Sequence, residues 1–171
     1  MPTLLSLGHG YSAQALARLL VPLGWRVIGT TRSPEKAKAF RAEGVEPLLW
    51  PADLAPALAG ATHILASAAP DAQGDPFLSA VPGLARAPAA WVGYLSTTGV
   101  YGDAGGAVVD ELTPIAPAND RSRRRVAAES TSQNWCAAHG VRYVILRVQG
   151  IYGPHRLPLE RRHLDLGAEG R

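Results

Sequence analysis

The 171 residues contain one cysteine, one methionine and two phenylalanines. A single cysteine, Cys136, excludes an internal disulfide framework and any cysteine-rich metal site. That usage fits a reduced, cytoplasmic setting. No uncharged apolar run approaches the ~20 residues of a membrane span. The opening residues Met1-Pro2-Thr3-Leu4-Leu5 carry no basic stretch, so no secretory signal is expected. Lysine is nearly absent as well: of 17 basic residues only Lys36 and Lys38 are lysines, the rest being arginines. The five histidines have no metal-ligand spacing with carboxylates, and neither a G-x-S-x-G nor a phosphate-binding P-loop pattern occurs, so metal catalysis is not expected.

What is present is apolar residue in quantity. At 47% hydrophobic and 18% charged, the chain has ample material for a buried core of one domain. The net charge of +3 is a modest excess that serves solubility. Its one dense run, Arg121-Ser122-Arg123-Arg124-Arg125, has no flanking aromatics on which bases could stack, and reads as a solvated helix face. Nucleic acid is therefore not an expected partner.

Short, almost wholly apolar runs at 3–7, 25–30, 45–50, 62–67, 90–96 and 141–148 alternate with helical patterns. Ala13, Leu16, Ala17 and Leu20 form one stripe. Ser33-Pro34 is a cap followed by a first-turn proline, and a short helix closes at Gly60. A helix starting near Pro76 and broken at Pro82-Gly83 is expected. So is one over 121–138 with Ala128, Thr131, Trp135 and Ala138 on its packed face. The glycine-rich stretch 99–119 is too long for a plain connector and is a candidate functional loop. Six strands with crossover helices predict an α/β, doubly wound, Rossmann-type parallel sheet of order 3-2-1-4-5-6, binding its ligand where the order reverses beside the first and fourth strands.

At that switch point Gly8-His9-Gly10-Tyr11-Ser12-Ala13 fits G-x-G-x-x-[G/A]. The first glycine allows a tight turn and the second a close backbone approach to a pyrophosphate. The third small residue lets helix and strand pack closely, with the helix N-terminus facing the anion. A strand ends immediately before the motif and a helix begins within it, which favours dinucleotide binding over an unliganded turn. After the second strand, Thr30-Thr31-Arg32-Ser33 presents hydroxyls and a guanidinium where an acid would select NAD(H). The expected cofactor is NADP, with NAD as the alternative. His9 faces either the cofactor or the core.

The fifth strand runs into Ser96-Thr97-Thr98-Gly99-Val100-Tyr101-Gly102-Asp103, and the sixth into Arg147-Val148-Gln149-Gly150-Ile151-Tyr152-Gly153-Pro154. With the amino-terminal glycine motif, these segments resemble extended short-chain dehydrogenases/reductases, the NAD-dependent epimerase/dehydratase group, over residues 3–154. The resemblance implies that Asp53 and Leu54 contact the adenine, that Ala68 and Ala69 lie along the cofactor, and that Thr97 holds a substrate oxygen. The alternative for Thr97 is that the hydroxyls of residues 96–98 only satisfy strand-end backbone groups.

The family's tyrosine and lysine pair is missing. Arg121 and Arg125 stand at those positions, eight and four residues before Glu129. Arginine is no acid or base near neutrality. Arg125 could still hold the ribose, and Tyr101 is the nearest other phenol. The pattern resembles the atypical branch of the superfamily. Relatives continue into a small carboxyl-terminal substrate domain, so 1–154 is expected to be the NAD(P)-binding domain and 155–171 a charged tail or the start of that domain. A homodimer is also what the resemblance implies. Two functions remain in view: an epimerase/dehydratase-type oxidoreductase for a nucleotide sugar or other small carbonyl or hydroxyl substrate, and a non-catalytic NADP(H)-binding module with a redox-sensing or regulatory role.

Overall fold

A computed structural model describes residues 1–77, 89 and 91–157. Six parallel strands form one sheet: β1 (Thr3–Leu7), β2 (Arg26–Thr31), β3 (Glu46–Leu49), β4 (His63–Ala66), β5 (Trp91–Thr97) and β6 (Arg142–Val148). Their order is β3-β2-β1-β4-β5-β6, the doubly wound Rossmann-type arrangement. The helices are α1 (Tyr11–Leu20), α2 (Pro34–Ala42), α3 (Ala55–Gly60) and α4 (Asp120–Ala138). The helix expected from near residue 76 falls mostly on 78–88, outside the described residues, as does most of the 155–171 segment.

Strand β1 is buried along its whole length and feeds both faces of the sheet. Leu5 and Leu7 pack with Ile28, Ile64, Val92 and Phe77, while Leu4 packs with Ala13, Ala17, Val27 and Phe40. The alternation follows from the two-residue period of a strand covered on both sides. Helix α1 buries Ala13 and Ala17, whose small side chains let it approach the sheet, with Leu16 and Leu20 packed beside them. Helix α2 begins as its sequence dictates: Ser33 Oγ accepts from Lys36 N–H at 3.1 Å, and Pro34 follows the cap.

Helix α4 departs from expectation. Its buried residues are Ser122, Ala128, Glu129, Ser132 and Cys136, whereas Thr131 and Ala138 are exposed. The packed face is largely polar, and its buried carboxylate is met by a cation from another element. Arg147 of β6 grips Glu129 in a bidentate pair, with Nη2 to Oε2 at 2.8 Å and Nε to Oε1 at 3.2 Å. Apolar periodicity does not register such a face. Asn119 caps the helix, accepting from Ser122 N–H at 2.9 Å.

The 102–119 loop folds back on the end of β5. Ala116 N–H donates to the Val100 carbonyl at 3.0 Å, and a Cβ on Gly102 (φ +71°) would collide with the Ala116 carbonyl oxygen. Val109, Asp110 and Glu111 border a cavity of about 490 Å³ with Tyr101 and β6.

Candidate functional site

The turn after β1 is held by β1 itself, by β2 and by the residue that follows β4. Gly8 N–H donates to Thr30 Oγ1 at 2.7 Å, and that hydroxyl donates to the Ser6 carbonyl at 3.3 Å. His9 N–H donates to the Thr30 carbonyl at 3.1 Å, and Ser67 Oγ donates to the Gly8 carbonyl. Gly8 has φ +80°, and a Cβ there would stand 2.7 Å from the Ala68 backbone nitrogen, so only glycine fits. At Gly10 a Cβ would meet nothing closer than the Gly8 carbonyl at 3.7 Å; the space it would point into is open.

Helix α1 starts at Tyr11 with no side-chain cap and no acid in its first turn. Its free amides and positive dipole end therefore suit an anion. Tyr11, Ser12 and Ala13 border a cavity of about 190 Å³ together with Ser67, Ser96, Arg125 and Arg156. Ser96 is only 3% exposed, and its Oγ has no hydrogen-bond partner among the described residues. A buried hydroxyl without a partner beside uncapped amides and two guanidiniums fits a phosphate-bearing ligand.

On the β2 side, Thr31, Arg32 and Lys36 border a second cavity of about 370 Å³ with Gly8, Gly10, Ala68 and Ala69. Trp50 and Phe77 supply its apolar wall, their ring centroids 4.6 Å apart. No carboxylate among the described residues lines it. Two of the expected phosphate hydroxyls are occupied structurally: Thr30 holds the glycine turn, and Ser33 caps α2 while donating to Glu35 at 2.8 Å. Lys36 is a second cation on this cavity that the sequence reading did not single out. The signal for it in the sequence was its position four residues after Arg32, in the first turn of α2. Asp53 and Leu54 border none of these cavities. Asp53 Oδ1 accepts from Ala55 N–H at 2.9 Å at the start of α3, and Leu54 is buried in the core.

His9 is 4% exposed and packs edge-on to Phe40, centroids 4.6 Å apart, over Gly29, where a Cβ would strike its ring. Burial pulls its pKa from 6.5 down to about 4, so the ring is neutral. It borders the β2-side cavity, and neither ring nitrogen has a hydrogen-bond partner among the described residues.

Beyond β5 lies the largest of these spaces, about 520 Å³, bordered by Ser96, Thr97, Arg121, Arg125, Gln149 and Arg156 among others. Thr97 Oγ1 accepts from Gly99 N–H at 3.1 Å, as the strand-end alternative requires, while its own proton has no acceptor among the described residues. Arg125 is anchored through Nη1 to the Ala68 carbonyl (3.2 Å), Tyr94 hydroxyl (3.1 Å) and Leu95 carbonyl (2.9 Å). Burial holds the Tyr94 phenol above its ordinary range. Tyr101 is not brought to this space. Its hydroxyl accepts from Arg147 at 2.9 Å, and its ring faces that guanidinium at 5.1 Å. The phenol thus belongs to the Glu129–Arg147 network, next to the 490 Å³ cavity. Among the described residues no group of His, Cys, Asp and Glu could hold a metal ion, and no helix is long and apolar enough to cross a membrane.

Residues 78–165, just over half of the chain, match the model of the NAD dependent epimerase/dehydratase family. The chain belongs to that family. Solved structures agree on the fold. A functionally unknown conserved protein from Silicibacter pomeroyi DSS is 52% identical, with a TM-score of 0.84 over 92% of this chain and 57% of its own. A candidate NAD-dependent epimerase/dehydratase from Methylobacillus flagellatus is 27% identical, with a TM-score of 0.70 over 99% of this chain and 61% of its own. UDP-glucuronic acid 4-epimerase from Bacillus cereus, in complex with NAD, is 18% identical, with a TM-score of 0.72 over 92% of this chain and 60% of its own. This epimerase/dehydratase-family chain therefore spans about three fifths of the length of these proteins. No curated protein sequence matches it.

Proposed function

We propose that the chain binds NADP(H), in preference to NAD(H), and serves an epimerase/dehydratase-type oxidoreductase reaction on a nucleotide sugar or another small carbonyl or hydroxyl substrate. The observation that carries this reading is a row of three cavities over the carboxyl ends of β2, β1, β4 and β5, the outer two each sharing lining residues with the middle one: Gly8 and Gly10 on one side, Ser96, Arg125 and Arg156 on the other. The row joins a basic pair (Arg32 and Lys36), an uncapped helix N-terminus and a threonine hydroxyl with a proton to give. The family's cofactor supplies a hydride donor or acceptor when bound. Arg32 and Lys36 would face a 2′-phosphate, Gly8 to Ala13 the pyrophosphate, and the wall of Trp50 and Phe77 the adenine, in place of Asp53 and Leu54. Arg125, held by three acceptors, would border the nicotinamide ribose. Thr97 would hold the substrate oxygen.

A second reading has a specific observation behind it. Arg121 and Arg125 line the cavity where an acid is needed, and arginine as a residue type is no general acid near neutrality. Such a site supports an NADP(H)-binding module without turnover. A thermal-shift titration with NADP, NADPH, NAD and NADH tests the cofactor, since a ligand that binds only the folded state raises the midpoint. A shift confined to the phosphorylated pair supports the reading, and no shift with any of the four removes it. Consumption of NADPH with added carbonyl substrates then separates the oxidoreductase from the module.

A further inference from the structure

Among the described residues, the 520 Å³ cavity is bordered by three arginines and no carboxylate. Nearby acids are engaged elsewhere: Asp120 pairs with Arg123 at 2.7 Å, and Glu129 with Arg147 at 2.8 Å. Arg121, although adjacent to Asp120, makes no ion pair among the described residues. Arg156 is delivered from the far end of the chain. A turn closed by Arg156 N–H to the Gly153 carbonyl (2.9 Å) docks on α1, where Tyr11 hydroxyl donates to the Pro154 carbonyl at 3.1 Å. The Arg156 guanidinium then lies over the Tyr11 ring, 5.4 Å from its centroid.

The three cations are not equivalent. Arg125 and Arg156 border both this cavity and the smaller one at the α1 N-terminus, where a pyrophosphate would use them. Arg121 borders only the large cavity. It lies one helical turn before Arg125, on the same face of α4. The turn carrying Thr97 packs on the start of that helix: a Cβ on Gly99 would stand 3.1 Å from Ser122 Oγ and 3.5 Å from Thr97 Oγ1. The buried Ser96 hydroxyl, without a partner among the described residues, borders both cavities, so of Ser96 and Thr97 only Thr97 belongs to the larger one alone. A forked guanidinium with no acid of its own, beside hydroxyls and apart from the cofactor's phosphates, matches an oxyanion on the second ligand.

Resting on the cofactor reading above, we infer that the substrate of this site carries an anionic oxygen group, a carboxylate or a phosphate, bound by Arg121 in the cavity that holds Thr97. Arg121 here is a substrate-binding residue and Thr97 positions the oxygen to be oxidised or reduced on the same molecule.

The test is calorimetric titration of the NADP-saturated chain with malonate and, separately, with inorganic phosphate, on the wild type, Arg121→Gln and Arg124→Gln. Arg124 is exposed on α4 and borders no cavity described above, so it reports the general effect of losing one positive charge. Loss of a charge-assisted contact predicts roughly tenfold or more weaker binding of at least one probe to Arg121→Gln. NADP affinity should be unchanged in that variant, and Arg124→Gln should match the wild type. Malonate alone responding assigns a carboxylate, and phosphate alone a phosphate. No binding of either probe, or equal weakening in both variants, overturns the inference. Arg121-dependent anion binding without any NADP binding would keep the anion site and remove the cofactor reading.

Discussion

Replacing Arg32 and Lys36 should remove cofactor discrimination without removing cofactor binding. Both side chains are exposed and border one cavity that no acid among the described residues lines, so both would face the same 2′-phosphate of about −1.5 to −2 charges. A unit pair ~5 Å apart is worth about 0.8 kcal/mol at the dielectric of water and about 3 kcal/mol at an effective value of ~20. Exposure places each contact toward the lower end, at about 1–1.5 kcal/mol, or roughly five- to tenfold in affinity. Arg32→Gln should therefore weaken NADP about five- to tenfold. The double variant Arg32→Gln/Lys36→Gln should weaken it about 30-fold, somewhat less than additively because both cations neutralise one anion. NAD affinity should change less than about threefold, since its contacts through Gly8 to Ala13 are intact. The assay is calorimetric titration with both cofactors at low and at physiological salt. Wild-type preference should shrink as salt rises. Equal losses for NADP and NAD, or no loss for either, would refute the assignment of this cavity to a 2′-phosphate.

The two motif glycines should fail in different ways. Gly10→Val should fold with a near-native melting temperature yet lose all thermal shift with dinucleotides, because its side chain enters only the open ligand space. Gly8→Ala should instead lower stability itself by about 1–3 kcal/mol in urea unfolding, from the positive φ and the contact with the Ala68 backbone. Glu129→Gln should cost about 2–4 kcal/mol by leaving Arg147 without its charge partner, at side-chain exposures of 4% and 17%; Glu129→Leu with Arg147→Met should recover part of that loss. His9 adds a pH dependence. Because folding lowers its pKa from 6.5 to about 4, the unfolded chain binds more protons between those values. Stability from this residue is complete above pH 6.5 and falls as pH drops toward 4, by up to about 3 kcal/mol. His9→Phe should flatten that slope in melting curves between pH 4 and 7.

Strand order and the glycine turn were legible because each depends on local pattern. Short, mostly apolar runs such as Thr3–Leu7, bounded by turn residues, favour a strand covered on both faces, and Ser33-Pro34 is a local helix-start signal. Crossover chirality then leaves few topologies to choose from. The α4 face was misread for a physical reason. Glu129 is buried only because Arg147, 18 residues away, neutralises it. Thr30 has a residue type that suits a ligand, but the Gly8 N–H and the Ser6 carbonyl take both sides of its hydroxyl first.

By itself the sequence determined a doubly wound sheet, a helix N-terminus facing its switch point, and a basic segment after the second strand. These follow from side-chain periodicity, glycine conformation and capping, all decided within a few residues along the chain. Only the tertiary structure decided which polar groups remain free for a ligand. Lys36 joins Arg32, Tyr101 is drawn into the Glu129–Arg147 network, and Arg156 reaches across to Tyr11 from 145 positions away. The physical reason is competition. A hydroxyl, carboxylate or guanidinium acts on a ligand only if no protein partner claims it first, and those partners are brought within ~3 Å by the fold rather than by neighbourhood in sequence.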